Sequence, residues 1–241
     1  MKDLRKQLSG HKILVFMDLE GTQITHETIE IGAYKAIIKD DLTLKKLFKP
    51  FRCYVKPKGS VGKIVTRITG IDSKLIHEKG ITFRAAQQQL QKYLGRDYKK
   101  CLFVAYGDQD AKMIISSAEH NMDASMEEAR FVAKHTFDFC AFMRKYITDA
   151  NGNTLSLTHA LELFGVKFEG QAHDATVDAY NLAMLYKAFV LNKDLVRREY
   201  QKTLMHGHGL PEPVAKLIRN LQENGQVAQA EFDNFVDEAL K

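Results

Sequence analysis

The chain has 241 residues, of which 45% are hydrophobic and 27% are charged, and its formal net charge is +5. These values are typical of a soluble globular protein with one domain of about 180–200 residues and an appendage. No apolar run approaches the ~20 residues needed to cross a bilayer, and only five apolar residues follow the basic N-terminus, so neither a membrane span nor a signal peptide is predicted.

Three strands are predicted near the N-terminus. The continuous apolar run Ile13 to Met17 is typical of a central strand that is covered on both faces. Residues 28–38 are rich in β-branched side chains, and residues 51–55 form a third strand, closed by a Pro and a Gly. This order predicts an antiparallel meander at the start of a mixed sheet.

Helices alternate with strands in the middle of the chain. Thr82 is the predicted N-cap of a helix that runs to Leu94. A strand at 102–106 and a helix through about Ala118 follow. Residues 131–136 are predicted to form a short fifth strand. Later helices are predicted at about 138–146, 156–164 and 174–191.

This order of elements predicts an α/β domain in which helices cover a mixed sheet of about five strands. The sequence has no glycine-rich phosphate loop, which disfavours a dinucleotide-binding or P-loop fold. After about Asn192 the composition becomes charged and rich in Gln. We therefore predict one domain at residues 1–191 and a helical extension at 192–241, which could cap the domain, dimerise it or recruit a protein partner.

Positive charge is concentrated between Lys35 and Arg67, where ten Lys or Arg residues accompany only two Asp. A solvated basic surface and an electrostatic track for a phosphate backbone both explain this segment. The three cysteines are widely spaced, which matches neither a disulfide framework nor a zinc site. We interpret them as buried free thiols and predict a reducing, cytoplasmic location; they are Cys53, Cys101 and Cys140.

Acidic residues stand where predicted strands end. Asp18 and Glu20 are two residues apart, so their side chains point to the same face at the carboxyl end of the first strand, where open α/β sheets form ligand crevices. Asp110 lies early in a helix behind Tyr106 and Gly107, and a glycine permits a tight strand-to-helix turn. Taken one at a time, a solvated turn and an acid favoured by the helix dipole explain these positions as well.

His173 and Asp178 form the most specific pair. On one helix their side chains would point roughly 140° apart around the axis, which is unfavourable for contacting the same ligand. If Asp174 or a neighbour caps the helix, His173 lies on the incoming loop, free to move over the site, while Asp178 projects from the first turns. A histidine placed just before an acid-bearing helix is suited to proton transfer.

Four carboxylates and one imidazole suit two divalent cations and a general base, which is the equipment for hydrolysing phosphodiesters. Three cassettes resemble, in order and spacing, those of the DEDDh group of 3′-to-5′ exonucleases: Asp18-Leu19-Glu20, Tyr106-Gly107-Asp108-Gln109-Asp110 and His173-Asp174-Ala175-Thr176-Val177-Asp178. The resemblance spans roughly residues 11–191, includes proofreading-subunit-like and Eri-type exonucleases, and implies the ribonuclease H-like exonuclease fold. Gln23 and Tyr106 depart from the residues that many members carry, but neither departure removes an acid.

The resemblance implies hydrolysis of phosphodiester bonds from the 3′ end of single-stranded DNA or RNA, with nucleoside 5′-monophosphates as products. It implies that Asp18, Glu20 and Asp178 hold one metal ion and that Asp18 bridges to a second ion. Asp110 would support the second ion directly or through water. Carboxylates without cysteine suit two Mg²⁺ or Mn²⁺ ions better than Zn²⁺.

Proton transfer and substrate contacts are implied in the same way. His173 is expected to take the proton from the attacking water, since imidazole titrates near neutral pH. Thr22 and Tyr106 are candidate contacts to the substrate, and Tyr106 or Phe83 could stack on a terminal base. Phe83 fits a core position equally well.

Other interpretations stay open. A nucleic-acid-binding or regulatory module could keep the same fold without turnover, although all five site residues are present. A phosphoesterase acting on a small nucleotide would not need the basic segment. A separate metal site at His206 and His208 has no third ligand nearby. The choice between DNA and RNA depends on contacts to the 2′-hydroxyl, to which the sequence assigns no residue.

Overall fold

The structure, a computed structural model, describes residues 2–206 and 210–240, without the side chains of residues 205 and 206. Two compact units form within it: residues 1–139 with 157–191, and residues 140–156 with 192–241. Residues 140–156 were expected in the first domain, and here they belong to the second unit. The domain boundary at residue 191 stays a prediction.

Strands and helices alternate much as expected. The strands are β1 (Ile13–Gly21), β2 (Thr28–Ile38), β3 (Leu44–Leu47), β4 (Phe51–Tyr54), β5 (Leu102–Ala105) and β6 (Thr136–Asp138). The helices are α1 (Lys2–Gln7), α2 (Lys63–Thr69), α3 (Ser73–Lys79), α4 (Phe83–Leu94), α5 (Gln109–His120), α6 (Met126–Lys134), α7 (Phe139–Arg144), α8 (Leu157–Leu163), α9 (Ala175–Leu191), α10 (Lys193–His206), α11 (Glu212–Asn224) and α12 (Gln229–Ala239), with a 3₁₀ helix at Gly95–Lys100.

The six strands form one mixed sheet in the order β3-β2-β1-β5-β6, and β4 also pairs with β2. β1 pairs with β2 in antiparallel orientation and with β5 in parallel orientation. A mixed sheet that begins as an antiparallel meander is therefore confirmed. The prediction of about five strands missed β3, because the sequence Leu-Lys-Lys-Leu is short and half charged, unlike a covered strand.

β1 separates two different environments, because successive side chains of a strand point to opposite faces. Val15, Met17 and Leu19 lie in a hydrophobic core with side chains of α4, α5 and α6. Phe16 lies on the other face, where its ring centroid is 5.4 Å from that of Tyr186 on α9. Asp18 and Glu20 continue the face of Phe16, so both carboxylates point to the side on which α9 packs.

Local capping signals explain one success and one error. Thr82 caps α4 as predicted, since its Oγ1 accepts a hydrogen bond from the Ala85 backbone N–H at 3.1 Å. The predicted strand at 131–136 is wrong, because α6 continues to Lys134 and the strand begins only at Thr136. Ser125 caps α6, since its Oγ accepts a hydrogen bond from the Glu128 N–H at 3.2 Å. This capping signal was overlooked because the apolar residues 131–133 also fit a strand.

The second unit contains α10, α11 and α12, which agrees with a helical C-terminal segment. Lys216 of α11 lies 2.6 Å from a carboxylate oxygen of Glu238 on α12, so an ion pair joins these two helices. The side chain of His206 and all of His208 lie outside the described residues. Within the described ranges, no helix combines the length and the apolar character that crossing a membrane requires.

All three cysteines are free thiols. Cys53 and Cys101 are buried, as expected, whereas Cys140 is partly exposed. Burial raises the pKa of both Cys53 and Cys101 to about 12. These two thiols therefore stay protonated at neutral pH and behave as small core side chains.

Candidate active site

Asp18 and Glu20 lie within β1, which extends through Gly21 and is longer than its apolar run. In the register with β2, Asp18 is opposite Gly32 and Glu20 is opposite Glu30. Directly opposed residues of an antiparallel pair point to the same face. The backbone of both acids is therefore paired with β2, which fixes the direction in which the two carboxylates leave the strand.

Gly32 lets helix α9 approach these carboxylates. A Cβ at this position would overlap the carbonyl group of Ala175 and the backbone nitrogen of Thr176. The first turn of α9 therefore lies directly against the backbone of β2, across the strand pair from Asp18. A close contact of this kind needs glycine, because any side chain would push the helix away from the sheet.

Asp174 caps α9, which confirms the predicted arrangement of the third cassette. Its Oδ1 accepts hydrogen bonds from the backbone N–H groups of Thr176 at 3.0 Å and Val177 at 3.1 Å. His173 precedes the helix with a φ of 64° and is exposed. Asp178 in the first turn accepts a hydrogen bond from the His173 N–H at 2.8 Å, so the loop and the helix hold each other in place.

Asp110, on α5, extends its side chain to the end of β1 that carries Asp18 and Glu20. Its side chain is 6% exposed, and its Oδ1 accepts a hydrogen bond from the Leu19 N–H at 2.8 Å. This bond attaches Asp110 to β1 between the two acids of the first cassette. Gly107, with a φ of 118°, makes the turn into α5, and its N–H donates to Asp138 of the adjacent strand at 3.1 Å.

The four carboxyl groups interact unfavourably in the absence of a cation. Burial raises the pKa of Asp18 well above its ordinary value, and the charges of Asp110, Asp178 and Glu20 raise it further. Burial also raises the pKa of Glu20 to about 8 and that of Asp110 to about 7. The pKa of Asp178 is raised in the same direction, again mainly by burial. Four acids with raised pKa values at one point form a site that favours added positive charge.

The donor atoms fit a divalent cation. Ligand atoms of Glu20, His173 and Asp178 all lie within 4.8 Å of one another. The acids supply oxygen donors, and no cysteine belongs to this group, which suits a hard cation. Together with Asp18 and Asp110, the structure thus brings all five residues of the three cassettes to one end of the sheet.

Comparison with known proteins identifies the family of this chain. A family model described as "Exonuclease" (RNase T) matches residues 15–186, which is well over half of the chain. The chain belongs to this exonuclease family. No curated protein gives a significant match to the sequence.

Solved structures share the fold of this chain. The nuclease domain of 3′hExo, a DEDDh family member bound to rAMP, has a TM-score of 0.60 and 16% identity, with 76% of this chain and 94% of that chain covered. Cell-death related nuclease 4 (CRN-4) has a TM-score of 0.58 and 20% identity, with 75% and 64% covered. E. coli Exonuclease I in complex with a dT13 oligonucleotide has a TM-score of 0.57 and 19% identity, with 81% and 44% covered.

The two candidate substrate contacts lie in different surroundings. Thr22 is buried, and its hydroxyl accepts a hydrogen bond from the Glu27 N–H at 3.0 Å and lies 2.8 Å from the hydroxyl of Thr25. Its side chain shapes the turn that follows Glu20. Tyr106 directly follows β5 and is partly exposed. A role for either side chain in binding substrate stays a prediction.

Three exposed isoleucines near the end of β1 were not predicted from the sequence. Ile24, in the turn between β1 and β2, is 80% exposed, and Ile64 and Ile68 of α2 are also exposed. Gln23 joins the two elements, since its side-chain oxygen accepts a hydrogen bond from the Ile64 N–H at 3.4 Å. The spacing of four between Ile64 and Ile68, on one helical face that no core requires, was the available signal.

Glu30 and Arg52 were not predicted from the sequence either. Glu30 lies in β2 with 0% exposure, and the Nε of Arg52 on β4 lies 2.6 Å from its Oε1. An acid in the middle of an apolar strand was the signal, because a buried carboxylate requires a charged partner. Burial raises the pKa of Glu30, and the charge of Arg52 opposes this effect.

Proposed function

We propose that this protein is a metal-dependent 3′-to-5′ exonuclease that hydrolyses single-stranded nucleic acid to nucleoside 5′-monophosphates. The observation that carries the proposal is the convergence of four carboxylates and one exposed histidine at one end of the sheet. Membership of the exonuclease family supports hydrolysis of a phosphodiester bond. The direction of degradation and the substrate belong to the proposal.

The same residues would hold the metal ions. Asp18, Glu20 and Asp178 would hold one Mg²⁺ or Mn²⁺ ion, and Asp110 together with Asp18 would hold a second ion. When bound, two such ions supply charge stabilisation for the attacking and the leaving oxygen of an in-line displacement. Hydrogen bonds from the backbone to Asp110 and Asp178 orient these two carboxylates before any ion binds.

His173 is proposed to act as the general base. Its ring is exposed on the loop before α9, and a ring nitrogen lies within 4.8 Å of carboxylate oxygens of Glu20 and Asp178. A base in this position can take a proton from a water that attacks next to the carboxylates. The backbone of His173 is left-handed, with a φ of 64°, a conformation that is uncommon outside glycine.

A polymer substrate explains the surface beside the site. The exposed isoleucines at 24, 64 and 68 can pack against unstacked bases, while exposed Lys and Arg side chains attract phosphates. Two of the ten basic residues between 35 and 67 serve other purposes, since Lys35 pairs with Asp97 at 2.6 Å and Arg52 pairs with Glu30. Lys58, which follows β4, and Lys63, the first residue of α2, are proposed to contact phosphates of the substrate.

A gel assay tests the proposal. Single-stranded RNA and DNA of matched sequence, each labelled at the 5′ end, are incubated with wild-type protein in Mg²⁺, Mn²⁺ or EDTA. We expect a ladder that shortens from the 3′ end, requires the metal, and disappears in Asp18→Ala. The faster ladder identifies the preferred nucleic acid. Binding without a ladder, unchanged in the variant, would instead support a regulatory module without turnover.

Two broader proposals concern the remainder of the chain and its location. Residues 192–241 are proposed to form a helical extension that is available to a protein partner. The free thiols of Cys53, Cys101 and Cys140 support a reducing compartment such as the cytoplasm. Size-exclusion chromatography with and without the extension, and fractionation of cells, test these two proposals separately.

A further inference from the structure

A buried acid lies next to the candidate active site without belonging to the three cassettes. Glu30 is opposite Glu20 in the register of β1 with β2, and its side chain is fully enclosed. Its two oxygens have different partners. Oε1 lies 2.6 Å from the Nε of Arg52, and Oε2 accepts a hydrogen bond from the Ala175 N–H at 3.3 Å. Glu30 therefore connects the sheet to the first residue of α9.

Arg52 makes a second connection to the same helix end. Its Nη2 lies 2.9 Å from the Oδ2 of Asp174, the residue whose other oxygen caps α9. One guanidinium thus contacts two carboxylates, one on β2 and one at the start of α9. The planar, forked guanidinium can serve both acids at once, whereas the single ammonium group of lysine is a point charge.

The contacts among Glu30, Arg52 and Asp174 form a network that ends beside the proposed catalytic residues. His173 directly precedes Asp174, and its N–H donates to Asp178 at 2.8 Å. Any movement of Asp174 therefore moves His173 and Asp178 together. Arg52 and Asp18 are both register partners of Gly32, so β2 alone separates Arg52 from the strand that carries the first cassette.

We propose that Arg52 is a positioning residue: with Glu30 and Asp174, it holds the start of α9 so that His173 and Asp178 face Asp18 and Glu20. This inference rests on the proposed exonuclease function. A positioning role predicts a lower kcat with an unchanged KM for the oligonucleotide. The Arg52 side chain is 41% exposed, so a direct contact to a substrate phosphate is the rival outcome, and it would change KM and the salt dependence instead.

Three variants and one control separate these outcomes. Arg52→Lys retains the charge but not the fork. Asp174→Asn retains a side-chain oxygen that can cap α9, since Asn is a good N-cap, and removes the charge that pairs with Arg52. The third variant combines both substitutions. Arg130→Lys, an exposed position on α6 at the opposite face of the sheet, is the matched control.

We expect each single variant to lower kcat roughly 10- to 100-fold, because misplacement by about 1 Å is sufficient for such a loss. The double variant should be no slower than the slower single variant, since both changes break the same connection. Arg130→Lys should match wild type. A raised KM in Arg52→Lys, with a log–log salt slope altered by about one, would assign Arg52 to phosphate binding and overturn the proposal. Effects that multiply in the double variant would also overturn it.

Hydrogen exchange measured by mass spectrometry gives a readout that needs no turnover. In protein without nucleic acid, the peptide that contains residues 173–178 should exchange faster in Arg52→Lys and Asp174→Asn than in wild type or Arg130→Lys. If wild type degrades no nucleic acid, the proposed function fails while faster exchange still supports the network. Unchanged exchange in both variants would refute the network whether or not the wild type is active.

Discussion

Replacing Glu20 with Gln is predicted to stabilise the protein when no divalent cation is present. Burial, followed by the charges of Asp178 and Glu30, raises the pKa of Glu20 from 4.5 to about 8. In the unfolded chain Glu20 ionises near its ordinary pKa, so at pH 8 the folded state must either retain a proton or hold a charge among other acids. Gln has nearly the same shape and carries no charge, so this destabilising effect is absent.

The pKa difference sets the size of the effect. A tenfold change in proton affinity corresponds to ~1.4 kcal/mol, so a pKa change from 4.5 to about 8 amounts to at most about 5 kcal/mol. Water reaches part of the Glu20 side chain, and screening reduces the expected gain to about 2–3 kcal/mol. Because 1 kcal/mol moves the Tm of a chain of this size by roughly 2–4 °C, Glu20→Gln should melt roughly 5–10 °C above wild type at pH 8.

The pH dependence has a definite sign. The pKa of Glu20 is higher in the folded state than in the unfolded state, so binding of a proton stabilises the folded state. This stabilisation is complete below the unfolded pKa and is lost as the pH rises towards about 8. Calorimetry in EDTA should therefore show an advantage of Glu20→Gln that is large at pH 8 and nearly absent at pH 4.5. Glu78→Gln, an exposed position on α3, should show no advantage at either pH. An advantage that is equal at both pH values, or a lower Tm at pH 8, would refute this reasoning.

Three further predictions test the site and its surroundings. Asp18→Ala and His173→Ala should each lower the rate at least 100-fold while far-UV circular dichroism stays unchanged; full activity of either variant would contradict the mechanism. Gly32→Ala should destabilise the fold by about 1–3 kcal/mol and lower activity, because the new methyl group must displace α9 from β2; a Tm equal to that of wild type would show that the close contact is absent. The kcat/KM for an oligonucleotide should fall linearly with salt on logarithmic axes, whereas a flat dependence would contradict binding through phosphates.

Local signals were sufficient for most of the secondary structure. The bounds of β2 follow from its β-branched residues, and the start of α4 follows from Thr82, because strand composition and capping act over a few neighbouring positions. The cap of α9 at Asp174 follows in the same way, and it explains how His173 and Asp178 share one site despite their unfavourable helical spacing. The errors arose where a local pattern was ambiguous. Residues 131–136 were predicted as one strand, whereas α6 ends at Lys134 and β6 begins at Thr136.

The remaining contacts depend on pairs of residues that are distant in the sequence. Glu30 and Ala175 are 145 positions apart, and no local pattern shows that the backbone of one meets the side chain of the other. Gly32 is equally inconspicuous in a strand until the close approach of α9 is known. The cassettes predicted which residues belong together, but the groups that hold them in place became visible only in the sheet register and the helix packing.

The candidate site combines unfavourable charge with fixed orientation. One oxygen of Asp110 accepts the Leu19 N–H, and one oxygen of Asp178 accepts the His173 N–H, so both carboxylates are oriented by backbone that the sheet and the helix hold. Burial raises the pKa of both acids, and neighbouring carboxylates raise it further: Asp138 and Asp178 act on Asp110, and Asp174 acts on Asp178. The group is therefore unfavourable for stability alone. A cation that binds removes the repulsion and needs little reorganisation of its ligands, since their positions are already set. This combination is therefore better explained by cation binding than by any contribution to folding, and it predicts that Mg²⁺ raises the Tm of wild type more than that of Glu20→Gln.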